Sequence, residues 1–379
     1  MKSILTWIAA GGLLPIWAAA PSSPRYTVTD LGSVGSTGQP YAVTTDAPLS
    51  GGSSVVAGGA MHAVLWIFGV KLDLGARGLG GPNSASYAVN NLGQAVGAAQ
   101  TSVSNGEDFC GFNAMGLTAS NTSCLPFVWQ YGVMTNLPTL GGANGIANSI
   151  NNLGQAAGWA ENATQSTDPG CPLNEFQPVT WQNGQIQQLP IYAGDTVGVA
   201  WHINDHGQAV GAGGTCGPYN PATGMYMVMN HALLWDNGKV TDLGNLGGTG
   251  GIAGNHACSI NNRGQVVGHS DLADDSTFHG FLWTESGGMQ DLGVLPGDAD
   301  SLAIGIADDG RIVGASFDED FNPRAVIWTN GAITDLNTLV PANSPLYLLQ
   351  ANSINSIGEI VGLAVTASGD LHGFMLTPR

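Results

Sequence analysis

The chain has 379 residues, 57 of them glycine, and only 9% are charged. So little charge argues against a charge-rich disordered chain and so much glycine against a helical bundle, which leaves many short strands joined by tight turns. Nine basic against 27 acidic residues give a net charge of −18, so no nucleic acid or other phosphate-backbone partner is expected.

In chain order, Lys2, the apolar run over residues 4–17 and Ala18, Ala19 and Ala20 have the charged, apolar and small-residue parts of a secretory signal. Residues 1–20 are therefore expected to be a signal peptide, with Pro21 moving the cut a few residues, and the mature protein to be secreted, extracellular or periplasmic. No later apolar run approaches the length of a membrane span. Residues 26–32 (Y-T-V-T-D-L-G) read as an isolated strand with no unit before it.

From residue 33 onward the sequence repeats. The unit is S-x-A-x-x-I-N-N, then x-G-Q-V-V-G, then H-A-F-L-W, then G-x-x-T-D-L-G, and its best copy spans residues 257–293. The Gly-Gln block recurs at Gly93, Gly154, Gly207 and Gly264 and degrades at Gly310 and Gly358. The Trp position recurs at Trp66, Trp129, Trp181, Trp235, Trp283 and Trp328, with Leu376 in the last copy, at intervals of 45 to 63 residues. Each unit holds four apolar runs rich in Val, Ile, Phe and Trp, bounded by Gly, Asn and Asp turns, and so reads as four antiparallel strands. Runs apolar on both strand faces suit sheets covered on both sides. The expected fold is therefore all-β, a seven-bladed β-propeller forming one domain over residues 26–379. Its blades fall near 33–75, 76–138, 139–190, 191–244, 245–293, 294–337 and 338–379. The last unit lacks a fourth strand, and residues 26–32 supply one, closing the ring.

These blocks resemble the HAF group of bacterial extracellular repeat proteins, named for the His-Ala-Phe block. Here it stands as His62/Ala63/Val64, His231/Ala232/Leu233, His279/Gly280/Phe281 and His372/Gly373/Phe374, beside D-L-G at Asp73, Asp242 and Asp291. The resemblance covers nearly the whole mature chain and implies an exported, propeller-like repeat protein, with no activity attached. Histidines at this repeated position, and the recurring Asp30, Asp73, Asp242, Asp291 and Asp335, read as scaffold.

The segment between the Gly-Gln block and the Trp position is longest in units two, three and four, so a raised rim is expected over one face of the ring. Most acidic residues fall in loops on that face. Asp271, Asp274 and Asp275 in one loop, and Asp318, Glu319 and Asp320 in another, are candidate calcium ligands because carboxylates are hard oxygen donors, although neither follows an ordered calcium-loop pattern and solvation or turn capping accounts for them as well. Cys110 and Cys124 are expected to close the unit-two insertion, contributing about 3 kcal/mol, and Cys171 and Cys216 to join neighbouring insertions. Cys258 lies in a first strand, where packing is the ordinary role, and no compact zinc spacing occurs.

Outside the repeat positions, Trp159, Trp201, Tyr219 and Tyr226 suggest a stacking surface for sugars or an apolar groove for peptide, the alternative being that they pack the loops onto the scaffold. His202 and His256 lie in first strands of adjacent units, near the channel, and are the histidines to examine for ligand contact. No G-x-S-x-G, P-loop, Rossmann or H-E-x-x-H motif is present. The reading that fits is a monomeric, non-enzymatic binding or adhesion module for an extracellular glycan or protein. A propeller hydrolase or lyase acting on a polymer, and a structural envelope protein, are the alternatives.

Overall fold

A computed structural model describes residues 25–34, 40–43, 49–57, 59–75, 79–105, 122–220, 225–251, 253–273 and 275–379. The chain is a seven-bladed β-propeller: seven four-stranded antiparallel sheets in a ring, with one short 3-10 turn at Leu336–Thr338 among the described residues. Within a blade the strands are hydrogen-bonded in chain order, as in blade 5: His256–Ile260, Val266–Asp271, Phe278–Thr284 and Gly288–Asp291. First strands touch the first strands of both neighbouring blades, so they line the centre and fourth strands lie outermost. Blade 7 takes its outer strand from the other end of the chain: Tyr26–Ser33 pairs antiparallel with Leu371–Pro378, from Tyr26 opposite Pro378 to Ser33 opposite His372.

The core lies between adjacent sheets. Val210 and Ala232 of blade 4 pack on Ala257, Ile260, Val266 and Phe281 of blade 5. This explains why third strands are apolar on both faces: Ala63, Val64, Leu65 and Trp66 are successive and all buried. The repeated tryptophan also reaches into the preceding blade. Trp181 Nε1 donates to Pro138 O at 2.8 Å, Trp235 to Pro190 O at 2.7 Å and Trp328 to Leu292 O at 2.9 Å, while Trp66 donates to Leu31 O of the closing strand at 3.0 Å. Trp129 and Trp283 are only half-buried, unlike Trp66, Trp181, Trp235 and Trp328.

The repeat blocks have distinct mechanical roles. The His-Ala-Phe histidine donates through Nδ1 to the aspartate of D-L-G at 2.9 Å in His62–Asp73, His279–Asp291 and His372–Asp30. That aspartate also accepts from the backbone N–H two residues on, as Asp291 does from Gly293 at 2.7 Å, so one carboxylate ends the fourth strand and ties it to the third. On the face where strands one and two join, Asn90, Asn151, Asn204 and Asn261 each donate Nδ2 to a backbone carbonyl of the next blade at 2.9–3.0 Å. The second asparagine of I-N-N accepts across the same seam: Asp205 N donates to Asn262 Oδ1 at 2.9 Å.

Candidate functional site

The predicted aromatic and histidine candidates and one predicted cysteine pair fall on the loop side of blades 3 and 4 and on the innermost strands of blades 4 and 5, while the described acidic candidates lie apart, at a strand end and in loops of blades 5 and 6. In blade 4 the second and third strands, Ala209–Asn220 and Met225–Asp236, run 12 residues each, against six and seven in blade 5. Their pairing continues to Asn220 opposite Met225, so the hairpin extends beyond the blade. Cys216 in this hairpin is bonded to Cys171 of the blade 3 loop, with Cα atoms 5.4 Å apart across a separation of 45 residues. Asp168 adds a second tie, accepting from Cys216 N at 2.9 Å and from the Thr196 hydroxyl. Cys124 is also disulfide-bonded. Cys110, its expected partner, lies outside the described residues, as does Asp274, and the side chains of Tyr219 and Tyr226 do too.

Trp159 does not belong to a stacking surface. It is 5% exposed, meets Phe176 edge-on at 5.9 Å and packs with Leu173, Val197, Val199, Ala212 and Met229 under the disulfide. Apolar residues from blade 4 cover it, which its position in its own unit does not reveal.

The acidic candidates satisfy local backbone. Asp271 is fully buried and accepts from Ala253 N at 2.9 Å. Asp275 accepts from Thr249 N and its hydroxyl, each at 2.7 Å. Asp318 Oδ1 accepts from Asp320 N at 3.0 Å and Asn322 N at 2.9 Å. Burial pushes the Asp318 carboxyl up, but the Asn322 side chain and these N–H groups outweigh it and hold the group below the usual carboxylate range. Asp318, Glu319 and Asp320 therefore form a self-closed turn rather than a convergent calcium cage, and Asp271 and Asp275 face different backbone groups.

Among the described residues, the group of three or more metal-ligating side chains that does converge is His256, Cys258 and His269. One nitrogen of each imidazole and the Cys258 sulfur lie within 4.8 Å of one another. His256 and His269 are directly opposite on the first two strands of blade 5, and their Nε2 atoms meet. Pairing slips between Ala257 and Ser259, so Cys258 is the bulged residue, and its Sγ lies 3.8 Å from His269 Nδ1. Trp201 of blade 4 stands edge-on to His256 at 6.1 Å, and Ile260 N donates to His202 Nδ1 at 3.4 Å. Two atoms here have no hydrogen-bond partner although buried: His256 Nδ1 and Trp201 Nε1.

Burial sets the charge state of this pocket. It lowers His202 and His256 to about 4 each, the former against weak opposing pulls from the Ile260 backbone and Asp205. Burial, helped by His256, holds His269 well below the ordinary range, and burial raises the Cys258 thiol to about 12. At neutral pH the pocket is thus an uncharged set of nitrogen and sulfur donors. The packing role expected for Cys258 is too narrow: it lies beside two imidazoles. The usable sequence signal was the alternation His256-Ala257-Cys258, with His269 at the mirrored place across the Asn-Asn-Arg-Gly turn.

No protein-family model matches the chain, and no curated protein matches it in sequence. Among solved structures it is similar to the β-propeller domain of the Trilobed protease from Pyrococcus furiosus, with 10% identity over 89% of this chain and 95% of that one and a TM-score of 0.49. It is similar also to the BP39L lectin from Burkholderia pseudomallei, with 10% identity, 94% and 98% coverage and a TM-score of 0.46. For the Aleuria aurantia lectin the values are 9% identity, 90% and 95% coverage and a TM-score of 0.37. None of these likenesses assigns a ligand or a reaction.

Proposed function

We propose that the protein is an exported, non-enzymatic binding module of the HAF repeat group, holding an extracellular glycan or protein against the raised side of the ring over blades 3 and 4. The observation that carries this reading is the lengthened blade 4 hairpin, braced to the blade 3 loop by the Cys171–Cys216 disulfide. A loop that projects from a rigid scaffold and is then immobilised is suited to recognition, because little conformational entropy remains to be lost when a ligand is held. A disulfide in this place also fits an oxidising compartment outside the cytoplasm, as the signal-like first 20 residues suggest. The net charge of −18 directs the choice of partner away from polyanions.

The test compares the oxidised protein with a variant in which residues 217–224 are replaced by a two-residue Asn-Gly turn, on arrays of soluble glycans and extracellular proteins. Retention of at least one ligand by the parent, reduced tenfold or more in the variant at unchanged melting temperature, is the expected result. Equal retention by both proteins, or none across the arrays, overturns the reading.

A further inference from the structure

We propose that His256, Cys258 and His269 form a three-ligand site for a borderline or soft d-block cation, zinc(II) or copper, on the first two strands of blade 5. This site is separate from the loop face and does not depend on what that face binds.

The ligand set is the first argument. Two imidazoles and one thiolate suit zinc and copper and are poor ligands for calcium or magnesium. The donor atoms lie within 4.8 Å of one another. A tetrahedral zinc with bonds of about 2.0–2.3 Å separates its ligand atoms by about 3.3–3.7 Å, within reach of small side-chain rotations here.

The repeat itself supplies a control. The cross-strand pair occupied by His256 and His269 is Ala85 and Ala98 in blade 2, Ile146 and Trp159 in blade 3, Val199 and Ala212 in blade 4, and Leu302 and Ala315 in blade 6. In blade 7 the pair is Gln350 and Leu363, and the bulged place of Cys258 holds Tyr87, Asn148, Trp201, Ile304 and Asn352 in blades 2, 3, 4, 6 and 7. These blades accept apolar, aromatic or amide side chains at the three positions but place no histidine, cysteine or carboxylate at any of them, whereas blade 5 places three metal-ligating side chains there together.

Unsatisfied polarity is the third argument. Buried polar atoms without a partner are rare and call for an ion or water, and His256 Nδ1 is one; Trp201 Nε1 is a second, but as a donor it calls for water and not for a cation. Cys258 is mostly but not wholly buried, so solvent has access to this edge of the cluster as the source of a fourth ligand. Binding is a simple exchange without redox change: the metal–sulfur bond forms as the thiol S–H proton leaves to solvent, and each imidazole donates a nitrogen lone pair.

The full oxidised chain, freed of metal by chelator dialysis, would be titrated with cobalt(II) as a spectroscopic probe, then with zinc(II) and, anaerobically, with copper(I). The expected result is one equivalent of cobalt with a thiolate-to-cobalt charge-transfer band, displaced by the tighter of the two competitors, which identifies the occupant. Cys258→Ala should abolish the band and His269→Gln weaken uptake by tenfold or more. Should His269→Gln fail to fold, Cys258→Ala decides alone, since alanine is tolerated at adjacent strand positions and circular dichroism verifies its fold. Absence of the band from folded parent protein, or a band that persists in Cys258→Ala, overturns the proposal.

Discussion

His279 and His202 are the same residue type set to opposite ends of the histidine range. The Asp291 carboxylate raises His279 by hydrogen bonding, against a smaller opposing effect of burial. Burial lowers His202 to about 4. A raised histidine stabilises the fold below its unfolded value near 6.5, and that contribution is lost as pH rises through the folded value. A lowered histidine does the reverse: between pH 6.5 and 4 the unfolded chain takes up a proton that the folded one refuses, costing about 2–3 kcal/mol by pH 4. Imidazole NMR at pH 5.5 should therefore find His279 protonated and His202 neutral. His202→Gln should flatten the fall in melting temperature between pH 7 and 4, and an unchanged slope would refute the assignment. Glycine is just as position-specific. A Cβ on Gly314 would lie 1.8 Å from Leu302 O, whereas one on Gly293 meets nothing within 4 Å and suffers only from φ of +66°. Gly314→Ala should cost upwards of about 1–3 kcal/mol in urea unfolding, and Gly293→Ala about 1 kcal/mol.

Between blades, polar staples act together with the apolar core. Asn204 is buried and donates Nδ2 to Gln208 Oε1 at 2.8 Å and to Asn261 O at 3.0 Å, while its Oδ1 accepts from the backbone N–H of His206 and Gln208. Asn204→Ala strands several of these groups at once and should lower stability by about 1–3 kcal/mol, measured as a shift in urea midpoint. Such staples are the physical content of the I-N-N block, and they explain why the fold was legible: blades 2 to 5 need the same turn and the same seam, so the requirement is written four times. The Cys258 cluster is written once. Its convergence depends on the slip between Ala257 and Ser259, which spacing along the chain does not reveal. The acidic loops misled for a related reason, since Asp271 and Asp275 are engaged by Ala253 and Thr249 from a preceding segment. Trp159 was hidden in the same way, its cover coming from the next blade.

Closure governs the molecule as a whole. The strand Tyr26–Ser33 covers the edge of Leu371–Pro378, places buried Leu31 beside Met375 and Val361, and offers Leu31 O to Trp66 of blade 1. Beyond the ladder, Arg25 N donates to Leu339 O at 2.8 Å and Arg379 N to Arg25 O at 3.0 Å. A chain beginning at residue 35 should expose an unpaired apolar edge, melt many degrees lower and associate, and a synthetic peptide of residues 25–34 should restore the melting temperature. Equal stability with and without the peptide would show that the seam is dispensable. The pairing of Tyr26 with Pro378 also imposes an order on assembly. Tyr26–Ser33 is separated from its mate Leu371–Pro378 by all the other strands of the ring, so the sheets between them can form while the circle is still open. A product cut short before Leu371 keeps an unmated rim, and limited proteolysis should clip it faster than the closed ring.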